Sequence, residues 1–146
     1  MAVNAPEVQV LADTDSVVVF KITGQYNAAT TANTKVIQSN TVGYANTSRD
    51  CILSLEECHY SVKINSGFIA LEWVSKVNSN ARILNFGSAA ADGVLRNYMV
   101  NNANTPSGDV NLYVSGAANN DTYNFILKFR KENNNNSFAN AYARYN

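Results

Sequence analysis

The sequence predicts an all-β domain, a two-sheet antiparallel β-sandwich of jelly-roll type with extended polar termini. Three observations point there. Apolar residues recur with period two in short runs, the spacing that lines one face of a strand. Turn-forming clusters separate these runs at roughly 8–12-residue intervals, as in sandwiches and barrels. Asparagine accounts for 23 of the 146 residues; it is depleted from helices and strands and suits tight turns, where its side chain mimics a backbone turn.

In chain order, "EVQVLA" (7–12) and "SVVVFKITG" (16–24) form an opening pair around "DTD". The stretch 24–35 contains alanines but too many Thr and Asn to hold a helix, and "NTKVIQSN" (33–40) reads as a short strand. "CILSLEECHYSVKIN" (51–65) alternates, then breaks at "EEC", which predicts a bulge or corner. "GFIALEWVSKV" (67–77) and "ARILNFG" (81–87) flank "NSN", a hairpin turn. "FGSAAADGVLRNY" has room for one short turn around Ala89 to Ala91. "GVLRNYMV" (93–100), "DVNLYVSG" (109–116) and "TYNFILKFRKE" (122–132) complete eight or nine strands. Alternation marks Val18, Phe20, Ile52, Leu53, Ile69, Leu71, Trp73, Phe125 and Leu127 as core candidates. Residues 1–132 then form a single sandwich domain and 133–146 a C-terminal arm, with no internal repeat.

Charge narrows the function classes. Eleven basic and eleven acidic residues give a formal net charge of zero, and only 15% of residues are charged, against roughly 25% in typical domains. Such a surface offers no electrostatic footprint for nucleic acid or anionic lipid. It also supplies little repulsion against self-association, which suits a subunit of an assembly. No run approaches the roughly 20 apolar residues of a membrane span. The start "MAVNAPEVQVLADTD" lacks the basic and apolar regions of a signal peptide. Cys51 and Cys58 are seven apart, pointing to opposite faces of one strand, so two reduced thiols made in a cytoplasm are expected.

Catalytic constellations are missing from the pattern. The single histidine, His59, neighbours Cys58 and would point to the opposite face, against a Cys–His nucleophilic pair. Zinc needs four N or S ligands in spaced pairs, which one His and two Cys do not supply. Asp13 and Asp15 in "DTD" suggest a calcium turn that nothing else completes. Glu56, Glu57 and Glu72 satisfy the two-carboxyl requirement of a glycosidase only in the nonspecific sense that any acid-bearing β-domain does. Glu72 sits beside Trp73 and has Lys76 or Arg82 as its cross-hairpin partner. The expectation is a non-enzymatic protein without a cofactor or metal.

After "NNNN" (133–136) come Phe138, Tyr142 and Tyr145, spaced by four and three. That spacing fits a helical stripe and an extended arm equally well. Aromatics beyond such a linker are costly to leave in water, each able to bury roughly 150–250 Å². They either pack back on their own sandwich or seat on a neighbour, which makes these three the candidate interface residues.

Residues 65–133 include "IALEWVSKVNSNARILNFG", "TPSGDVNLYVSG" and "DTYNFILKFRK". This cadence resembles small virion structural proteins of tailed phages, especially marine and cyanobacterial ones. The resemblance implies a capsid decoration (cement) protein on the outer surface of the phage head. Its implied partners are the major capsid protein and copies of itself, as an oligomer such as a trimer, with no nucleic acid and no membrane. A carbohydrate- or receptor-binding β-sandwich, or a tail or neck component, shares the same sequence features.

Overall fold

A computed structural model describes residues 5–14, 16–26, 30–38, 52–88 and 90–131. Among the described residues there are nine strands: β1 (Glu7–Asp13), β2 (Val17–Gln25), β3 (Thr30–Ile37), β4 (Leu53–Lys63), β5 (Phe68–Ser75), β6 (Ala81–Phe86), β7 (Ala90–Leu95), β8 (Pro106–Ala117) and β9 (Thr122–Lys131). They form a five-stranded sheet, β1-β2-β9-β4-β7, and a four-stranded sheet, β3-β8-β5-β6. Every ladder is antiparallel. Among the described residues there is no helix.

The pairing is nested: β2 with β9, β3 with β8, β4 with β7, and β5 with β6. The chain therefore runs as one long double-stranded ribbon that folds over itself, with β5–β6 at its closed end. Successive strands switch sheets except at the β1–β2 and β5–β6 hairpins. This is the jelly-roll order, two interlocked Greek keys.

Inward-facing residues of both sheets interdigitate. Trp73 on β5 meets Phe129 on β9 edge-on, with centroids 6.0 Å apart. Phe86 on β6 stands between Phe125 on β9 at 5.3 Å and Tyr60 on β4 at 5.0 Å. Such contacts add about 0.5–1.5 kcal/mol each beyond the area they bury. All nine core candidates are buried, Trp73 to 1% exposure. Ile69, Leu71 and Trp73 of "GFIALEWVS" share the inner face because β8 pairs with β5 in unbroken register from Phe68 to Trp73, although the β6 register slips by one residue between Leu71 and Glu72.

The break in "EEC" is a bulge: the β4–β9 register shifts between Leu55 and Glu57. Three expectations need correction. Ala90 and Ala91 are not in a turn but open β7, held by six register pairs to β4; cross-strand pairing overrides alanine's helical preference. Residues 93–100 are not one strand, since β7 ends at Leu95 and only Met99 bridges back, to Leu55. β3 begins at Thr30 rather than Asn33, carrying pairing into the Thr-rich stretch.

Candidate functional site: an uncovered edge and a polar trough

β1 is the outer strand of the five-stranded sheet, and all seven of its residues are exposed. Val8 pairs with Ile22 and Val10 with Phe20. Directly opposed residues share a face, so both valines continue the face that β2 turns into the core. The four-stranded sheet has one strand fewer and leaves that continuation bare. Val8, Val10 and Leu11 are half of the large apolar side chains exposed among the described residues. A bulge falls between Val10 and Ala12, and Glu7 and Asp13 put a charge at each end. These are common devices for discouraging indiscriminate edge pairing.

The far end of β1 is fastened. Lys131, at the end of β9, buries its ammonium against Asp13 and the Thr14 carbonyl, and its backbone N–H donates to Ser16 at 2.8 Å. The Thr14 hydroxyl oxygen accepts from the Val17 N–H at 3.1 Å, closing the turn. The edge is thus presented by a built hairpin, with Lys131, the last described residue, beside it.

The second feature lies on the outer face of the four-stranded sheet. Register places Lys35, Asn111, Glu72 and Arg82 in one row across β3, β8, β5 and β6. Arg82 donates Nε–H to Glu72 Oε2 at 2.7 Å, and its guanidinium lies over the rings of Phe68 (5.0 Å) and Tyr113 (5.5 Å). Asn80 reaches the other Glu72 oxygen at 3.3 Å. Of the two cations in reach of Glu72 by sequence, Arg82 is the partner. Lys35 pairs with Asp109 at 2.9 Å, and Asn111 donates its amide to Asn33 at 2.8 Å. Asn33, Glu72, Asn80, Arg82 and Tyr113 are among the residues that border an open trough of about 550 Å³.

The remaining sequence candidates separate. Cys58 is fully buried, and burial pushes its thiol up to about 12, so it stays protonated and non-nucleophilic. His59 faces solvent on the other side and bonds Glu57 Oε2 at 2.8 Å. That bond first, then nearby Arg96 and Lys128, holds the Glu57 carboxyl below its usual range. Glu56 pairs with Arg130 at 3.1 Å. Glu56 and Glu57 lie on the five-stranded sheet and Glu72 on the other, so no glycosidase-like pair of Glu72 with either forms. Asp13 is committed to Lys131. Among the described residues, no three His, Cys, Asp or Glu side chains gather to hold a metal ion, and no helix is long and apolar enough to cross a membrane. Asp15, Cys51, Phe138, Tyr142 and Tyr145 lie outside the described residues.

Sequence reasoning missed Asp121, a fully buried carboxylate. It accepts three N–H bonds at 2.8 Å, from the Asn65 backbone, the Asn65 side chain and the Ala118 backbone. It ties the β4–β5 and β8–β9 loops together. An acid at the mouth of a turn, in "NNDT", is the only sequence sign of it.

No family model matches the chain, and no curated protein matches it. A solved structure of Bacillus endospore appendages, described as a novel family of disulfide-linked pili, aligns with 82% of this chain and 92% of its own. Identity in that alignment is 16% and the TM-score is 0.34.

Proposed function

We propose that this protein is a non-enzymatic structural protein of a tailed-phage virion, bound to the outside of the head as a decoration (cement) protein. The observation that carries the reading is β1, a fastened edge strand with exposed apolar side chains and, among the described residues, no strand paired on its outer side. A decoration subunit needs such an edge. An extended segment of the major capsid protein adds to it by backbone hydrogen bonds, and Val8 and Val10 take the apolar side chains of that segment. The low charge supports the same reading, because few ions must be desolvated at the contact. Repetition over the shell turns weak contacts into firm attachment. Phe138, Tyr142 and Tyr145, which come after Lys131 in the sequence, supply further contacts to a neighbouring copy or to the shell.

Head decoration fixes stoichiometry. Quantitative mass spectrometry of purified virions should find copies comparable in number to the shell protein. A few copies per particle would place the protein in the tail or neck and contradict the proposal.

A further inference from the structure

The trough on the four-stranded sheet is more elaborate than a solvent-facing sheet surface requires. Glu72 is 7% exposed, although its strand face points outward. Burying a carboxylate–guanidinium pair is commonly no more stabilising than packing apolar residues in its place. The pair is nevertheless built with care. Two rings support the guanidinium from below and Glu72 fixes its Nε, so its orientation is set in advance. Among the described residues its two Nη groups bond no protein atom, and 43% of the side chain is exposed. Among the described residues, Glu72 Oε1 beside it holds only the long bond from Asn80, and the Asn33 amide N–H₂ is unspent.

We propose that this trough binds a neutral oligosaccharide. Sugar hydroxyls donate and accept at neighbouring positions. A carboxylate oxygen adjacent to fixed guanidinium and amide donors meets both needs. Net charge selects against acidic ligands: Arg82 is balanced by Glu72 and Lys35 by Asp109, so an anion finds no positive potential and meets the Glu72 carboxylate. The rings are covered by Arg82, so recognition rests on hydroxyl contacts and the edge of Tyr113. An open, shallow site of this kind binds at millimolar concentration, and repeated display strengthens it. This activity is independent of how the protein is attached to a particle.

The test is an amide-resolved NMR titration of the full chain with neutral hexasaccharides of glucose, galactose and N-acetylglucosamine, and with a sulfated hexasaccharide. At least one neutral sugar should give saturable shifts at the side chains of Asn33, Asn80 and Arg82. Arg82→Ala should weaken that binding roughly tenfold. Asn33→Ala, on the edge strand and outside the ion pair, should weaken it too while leaving the melting temperature unchanged. The proposal is overturned if no neutral sugar gives saturable shifts at millimolar concentration, if the sulfated sugar binds more tightly, or if Asn33→Ala binds like the wild type.

Discussion

Val10 on β1 stands directly opposite Phe20 on β2 and shares its face, yet Val10 is 53% exposed and Phe20 4%. One strand of sideways displacement separates a core position from a bare one. The five-stranded sheet carries its apolar face past the reach of its partner, and the proposed assembly role rests on this overhang.

Asp121→Ala should destabilise the domain by about 2–4 kcal/mol, since it strands three N–H donors in a buried loop junction. Urea denaturation monitored by Trp73 fluorescence measures it. Asp121→Asn, which keeps one acceptor oxygen but points an N–H₂ at other donors, should fall between.

Gly67→Ala should cost several kcal/mol. Gly67 has φ of 72°, and an added Cβ would overlap the backbone carbonyl oxygen of Ser115 on the neighbouring strand. Both strain and clash act at once, and the obstacle is backbone that does not swing aside. A thermal melt within 2 °C of wild type, about the shift produced by 1 kcal/mol or less in a domain this size, would contradict this.

Cys58 sets a direction for alkaline stability. Its thiol is raised to about 12 in the folded protein, whereas the unfolded thiol ionises near 8.5. Above that pH the unfolded state holds fewer protons, so this contribution is whole below about pH 8.5 and is lost as pH climbs toward 12. In a Cys51→Ser background, the urea midpoint should fall between pH 8.5 and 10, and adding Cys58→Val should flatten that fall. Equal slopes in the two proteins would refute the assignment.

Much of the fold is legible in the sequence because period-two alternation and turn chemistry act locally. Ile69, Leu71 and Trp73 separate from Glu72 by parity alone, and "EEC" announces its bulge. The uncovered edge is not legible. Val8 and Val10 alternate like any half-buried strand, and whether they are covered depends on the number of strands in the opposite sheet. Glu72 is similar: parity turns it outward, but its partners Arg82 and Asn80 reach it only through the β5–β6 hairpin. β7 is hidden because "AAAD" lacks β-branched residues, and pairing with β4 decides its conformation.

In the proposed role, β1 fastens the protein to the shell. Val10→Lys places on the bare face the residue that most effectively blunts an exposed edge. Val10 is already exposed, so folding should change by no more than about 0.5 kcal/mol. The measurement is the occupancy of purified, undecorated heads incubated with either protein. The melting temperature should be unchanged and decoration reduced at least roughly tenfold, the effect of losing about 1.4 kcal/mol of contact. A Val10→Lys protein that decorates heads at wild-type occupancy would contradict it.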